Sequence, residues 1–107
     1  RINEYLFEDR TDDSLLRLMP DIHLLAFGHT HQPWYRVLSG GRLAINTGSV
    51  GKPKDGDPRA CYVLIDWQVS RITTTFLRVP YDVELAANAI EASDLPDEFA
   101  DRLRKAY

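Results

Sequence analysis

The sequence predicts an α/β fold, and three observations carry that prediction. Leu24 to Phe27 and Tyr62 to Ile65 are apolar at consecutive positions, the pattern of strands covered on both faces. Two hairpins are written in the sequence, the first divided by permissive turn residues and the second, which includes Tyr62 to Ile65, weighted toward Val, Ile, Thr and aromatics. Helical spacing of apolar residues brackets these strands at both ends of the chain.

Each element has a local reason. Thr11 can cap a helix running to Met19, Asp12 and Asp13 suit its positive end, and Pro20 stops it. The run from His23 to Phe27 reads as a strand that ends at Gly28. Trp34 to Leu38 and Arg42 to Asn46 form a hairpin about Ser39-Gly40-Gly41. Asn46 to Ala60, crowded with Gly, Pro and Asp, is an extended loop. Cys61 to Trp67 and Arg71 to Val79 make a second hairpin. Beyond Pro80, Asp82 caps a helix whose Val83, Ala86, Ala87 and Ile90 share one face. Pro96 opens a last helix, acidic early and basic late, with Phe99, Leu103 and Ala106 as its stripe. The two C-terminal helices can cover one face of the sheet, which leaves the other face for a partner. That partner is either an N-terminal half outside this chain or a second copy of it.

Composition narrows the function. The chain has 107 residues, 44% hydrophobic and 27% charged, the balance of an ordinary globular domain. The net charge is −3 and no stripe of Lys and Arg occurs, so non-specific binding to nucleic acid lacks its usual electrostatic source, and no sequence-specific nucleic-acid partner is expected. An anionic substrate needs local positive charge, which a bound cation supplies. No apolar stretch reaches the ~20 residues that span a bilayer. Cys61, the one cysteine, lies in an apolar run and reads as a small buried hydrophobe, consistent with a reducing cytoplasm.

His29 and His31 follow the end of a strand and a permissive glycine. If the backbone there is extended, residues two apart project to one side and both rings address one site. Taken alone, His-x-His is as often a surface coincidence as a ligand pair. Gly28-His29-Thr30-His31 is followed, however, by Asn46-Thr47-Gly48-Ser49-Val50-Gly51 and Pro53-Lys54-Asp55-Gly56-Asp57-Pro58-Arg59-Ala60. In this order and spacing the blocks resemble the last motifs of calcineurin-like metallophosphoesterases of the small bacterial phosphodiesterase type. Val79-Pro80-Tyr81-Asp82 and Leu95-Pro96 also resemble that family's C-terminus.

The resemblance implies half of a four-layer α/β/β/α sandwich, a mixed sheet with flanking helices. It implies that residues 1–107 are the C-terminal part of a single metallophosphoesterase domain. His29 and His31 would each bind one of two divalent ions, Mn foremost, with Fe, Zn or Ni as alternatives. A hydroxide bridging the ions would then hydrolyse a phosphodiester or phosphomonoester substrate. The general-acid histidine and the other ligands are expected upstream, so no catalytic residue is assigned here and the isolated chain is expected to be inactive. Asp21-Ile22-His23 enters its strand where the family's Asp-x-His leaves one, and His23 reads as structural. Gly56-Asp57 continues as Pro58-Arg59 and reads as loop.

Asn46, Gly48 and Ser49 have two readings: a loop that presents polar groups to a phosphate, or a turn that supports the histidines from behind. Thr47 stands where the family has Pro. Lys52, Lys54 and Arg59 either add local positive charge or simply solvate. Trp34 and Tyr35 either rim a pocket or pack. The functional alternative is a catalytically inactive binding or scaffold module on the same fold.

Overall fold

Residues 4–107 are described in a computed structural model. Helix α1 (Asp12–Arg17) starts where the Thr11 hydroxyl accepts the Ser14 N–H at 3.3 Å, with Asp12 and Asp13 in its first turn. Three strands follow, β1 (Leu24–Phe27), β2 (Trp34–Val37) and β3 (Leu43–Asn46), in the spatial order β1-β3-β2. β1 runs parallel to β3, while β2 is antiparallel to it, so the sheet is mixed. Between β2 and β3 the chain makes a single 3₁₀ turn, Ser39–Gly41, in which Gly40 and Gly41 take φ of 75° and 71°. Only residues without a Cβ adopt such angles in succession at little cost.

The register decides the layers. Leu25 and Phe27 of β1, Ala44 and Asn46 of β3, and Arg36 and Trp34 of β2 share one face. On that face Trp34, Leu38 and Ala44 close over Leu15 and Met19 of the α1 segment, with Leu6, Leu16, Leu25 and Phe27 packed around them. Burying a side chain the size of Leu15 or Met19 contributes ~1.5–3 kcal/mol. β3, the middle strand, is buried along its whole length.

The second sheet is the hairpin β4 (Ala60–Gln68) and β5 (Arg71–Val79). It faces the free side of the first sheet, where the Tyr35 and Phe76 rings meet at 6.0 Å. The facing is incomplete. A cavity of about 450 Å³ opens beside Val37, Leu43, Trp67 and Ile72, and Val37 and Trp67 remain exposed. β1, although apolar at consecutive positions, is an edge strand: among the described residues its second flank carries no strand.

Helices α2 (Val83–Glu91) and α3 (Glu98–Lys105) pack on each other, tied by Arg104 of α3 to Glu84 and Glu91 of α2. Asp82 caps α2 by accepting the Leu85 N–H at 3.0 Å. The buried position of α3 is Ala100, not the Phe99 of the expected stripe; Ala106 is buried as expected. A second expectation also gives way. The helices do not blanket the second sheet; they dock on the loop between β3 and β4. There Gly56 donates its N–H to the Ala106 carbonyl at 2.9 Å, and the Lys52 ammonium lies 5.6 Å from the Phe99 ring centre. Length explains the difference. A nine-residue strand spans ~30 Å, whereas a nine-residue helix spans ~14 Å. Tyr62, Leu64 and Val79 are consequently left exposed on the outer face of the hairpin. No helix among the described residues is long and apolar enough to cross a membrane.

Candidate metal centre

β1 delivers the chain to Gly28, and the backbone then folds sharply. The Thr30 N–H reaches the Gly28 carbonyl at 3.0 Å, closing a three-residue turn around His29, whose φ is 76°. His31 is also left-handed, with φ of 59°. Two adjacent-but-one histidines in this region are unusual, and each such conformation is worth about 1–3 kcal/mol of strain that neighbours must offset. The stretch is therefore not extended, and strand alternation does not set how the two rings are presented.

The brace is Asn46. Fully buried at the end of β3, it donates through Nδ2 to Thr30 Oγ1 at 2.8 Å and to the Gly28 carbonyl at 3.4 Å. Its Oδ1 accepts the Gly48 N–H at 3.0 Å. Thr47 adds its N–H and hydroxyl to the Phe27 carbonyl. The histidine turn and the second loop thus form one hydrogen-bonded unit.

His31 is oriented from the far side of that loop. Its Nδ1 lies 2.8 Å from the Lys52 carbonyl, which can only accept, so Nδ1 carries the proton. In the neutral ring Nε2 then keeps its lone pair, the arrangement in which a carbonyl fixes the tautomer of a metal-binding imidazole. The Lys54 N–H returns to the His31 carbonyl at 3.0 Å. His29 is exposed, and the Tyr5 ring sits 4.5 Å from it at a tilt of 51°.

Gly48 and Ser49 lie beside the histidines but engage the protein. Gly48 has φ of 74°, and a Cβ there would come within 3.1 Å of Cys61 Sγ and Pro33 Cβ. Ser49 accepts the Lys52 N–H on its hydroxyl at 2.9 Å and the Cys61 N–H on its carbonyl at 3.0 Å. These bonds tie Gly48 and Ser49 to Asn46, Lys52 and Cys61. The two nearby arginines are matched by carboxylates: Arg59 pairs with Asp57, and Arg78 with Asp55. The Arg59 guanidinium and N–H hold the Asp57 carboxyl down at about 2. Cys61 is buried, and loss of hydration pushes its thiol up. Trp34 is buried against Phe27, whereas Tyr35 is exposed and lines a small cleft with Pro33, Asp55, Phe76 and Arg78.

Two imidazoles, one with its tautomer fixed, suit a transition-metal ion. Among the described residues, no group of three or more His, Cys, Asp or Glu side chains is placed so that it could hold a metal ion. A complete centre therefore needs donors from beyond them. The Lys52 carbonyl and Tyr5 were not legible as site residues, because neither a backbone acceptor nor a fold-back of the N-terminal segment leaves a local pattern.

No family model matches the chain. A curated protein of Methanocaldococcus jannaschii, described as uncharacterized, is 32% identical over 94% of this chain and 44% of its own length. The crystal structure of a metallophosphoesterase from Sphaerobacter thermophilus matches with a TM-score of 0.66 and 30% identity, over 81% of this chain and 43% of that one. A hypothetical protein from Pyrococcus horikoshii matches with a TM-score of 0.79 over 94% of this chain and 40% of that one; at 20% identity it speaks for the fold alone. The chain spans less than half the length of each. Its α/β architecture, a mixed sheet with flanking helices, is structurally similar to a metallophosphoesterase, which supports the superfamily resemblance.

Proposed function

We propose that this chain is the C-terminal part of a phosphoesterase that works with two divalent ions, His29 and His31 each ligating one. The observation that carries the reading is the pair of left-handed histidines braced by a buried asparagine, on an architecture shared with a metallophosphoesterase. Strain concentrated at two potential ligands marks a place where side-chain position matters more than backbone comfort.

The residues of the chain have separable tasks. Asn46 fixes the turn that displays His29, and the Lys52 carbonyl fixes the proton of His31 on Nδ1. When bound, two such ions polarise phosphoryl oxygens and activate water for in-line displacement. Manganese is the first choice, with iron, zinc or nickel as alternatives, because imidazole mixed with carboxylate suits these metals. A single buried cysteine fits a reducing cytoplasm.

The test uses the full-length protein, assayed for metal content and for bis-p-nitrophenyl phosphate hydrolysis with added Mn²⁺. His29→Asn and His31→Asn should each lose about one ion and reduce turnover at least about a hundredfold. Variants that keep both ions and full turnover would overturn the assignment. Metal bound without turnover in the native protein would instead identify a binding module on the same fold.

A further inference from the structure

Lys52 meets the candidate metal centre through its carbonyl, which accepts the Nδ1–H of His31 at 2.8 Å. The aim of that carbonyl is fixed from several sides. Behind it, the Lys52 N–H donates to Ser49 Oγ at 2.9 Å, closing a turn over residues 49–52 on a side-chain hydroxyl. Ahead of it stands Pro53, fully buried, whose ring fixes its own φ and biases Lys52 toward extended backbone. To the side, the Lys52 ammonium lies 5.6 Å from the Phe99 ring centre, which moors the side chain on α3.

Each mooring is itself anchored. Ser49 offers its own carbonyl to the N–H of buried Cys61 at 3.0 Å, near the start of β4. Phe99 belongs to α3, whose end accepts the Gly56 N–H on the Ala106 carbonyl at 2.9 Å. Two residues beyond Lys52, the Lys54 N–H returns to the His31 carbonyl at 3.0 Å. One short segment therefore holds His31 by ring and by backbone. The hydrogen-bond partner of a ligating imidazole sets both its tautomer and its direction, so whatever aims that partner acts on the ligand.

We infer that Ser49 and Phe99 are positioning residues for His31: acting through Lys52, they aim the carbonyl that orients this ligand. The inference rests on the reading of His31 as a metal ligand. It sets the Ser49 hydroxyl to work on the loop and not on phosphate. It also gives α3, far along the chain from the histidine turn, a part in metal retention.

The experiment uses the full-length protein, metal-loaded and cobalt-substituted. His31→Asn first identifies, by chelator competition, which metal-binding step belongs to His31. Ser49→Ala keeps the backbone bond to Cys61 and removes only the hydroxyl. It should weaken that step roughly tenfold and shift the visible cobalt spectrum. At saturating metal, kcat for bis-p-nitrophenyl phosphate should fall with KM unchanged. Ser49→Thr should restore affinity and spectrum. Phe99→Leu should weaken the same step about threefold, and Phe99→Trp, a better partner for an ammonium, should restore it. Asp82→Ala, which removes a cap on α2, controls for general loss of stability: its melting temperature should fall while its cobalt spectrum holds. Unchanged affinity and spectrum in Ser49→Ala overturn the role of that residue, and a raised KM beside them assigns the hydroxyl to the substrate. The same result in Phe99→Leu overturns the role of the helix, and a cobalt spectrum that moves equally in Asp82→Ala overturns both. Each of these leaves His31 standing as a ligand. A His31→Asn protein that keeps every metal-binding step refutes the ligand reading and the inference together.

Discussion

At Asn46 three hydrogen bonds converge on one buried carboxamide, so Asn46→Ala strands Thr30 Oγ1, the Gly28 carbonyl and the Gly48 N–H together. The expected cost is about 2–4 kcal/mol of stability, read as a lower melting temperature. It should be accompanied by weaker metal retention in the full-length protein, because the left-handed turn at His29 loses its brace. Asp57 offers a pH test. Its carboxyl is depressed from 3.8 to about 2, first by the side-chain bond from Arg59. A lowered folded-state value means a stabilising contribution that is complete above the unfolded value near 4 and disappears as pH falls toward about 2. A carboxyl-carbon NMR titration should find that midpoint, and Arg59→Ala should move it upward. A midpoint near 3.8 in the native protein would remove the ion pair from the account.

Among the elements, α2 depends on one side chain for its start. Asp82→Ala removes the cap on the Leu85 N–H and should lower stability by about 1 kcal/mol, measured by denaturant unfolding of the full-length protein; no change would mean that packing on α3 alone sets the helix. This cap was legible in the sequence, as were Thr11, both hairpins and the Ala-rich face of α2, because each rests on residues adjacent along the chain. The histidine turn was legible as a motif but not as a shape. The left-handed turn at His29 is braced by Asn46, and His31 is held by Lys52 and Lys54, all fifteen or more positions away, and local spacing cannot report a distant brace. The docking of α2 and α3 on the loop was hidden for a similar reason. It follows from the length mismatch between strands and helices and from the bond between Gly56 and Ala106, not from the apolar stripe of either helix.

For the molecule as a whole, shape is the informative quantity. The chain measures 50 × 27 × 18 Å with a radius of gyration of 16.3 Å, against ~13 Å for a compact domain of about 100 residues. Tyr62, Leu64 and Val79 on one sheet and Val37 and Tyr35 on the other remain exposed. Contiguous apolar faces of this kind are normally covered. The 107-residue chain by itself should therefore scatter light above its monomer mass of 12.2 kDa and enhance the fluorescence of an apolar dye; a monodisperse, dye-silent monomer would contradict this. The flank of β1 that carries no strand among the described residues has a practical corollary for anyone producing this polypeptide. Protective edge strands tend to carry charge, and β1 carries none. Ala26→Lys should improve the soluble yield of the isolated chain by discouraging intermolecular strand pairing. The same lysine in the complete polypeptide would report the opposite, through poorer expression, if another strand is seated along that flank. One substitution thus separates an exposed border from an internal seam.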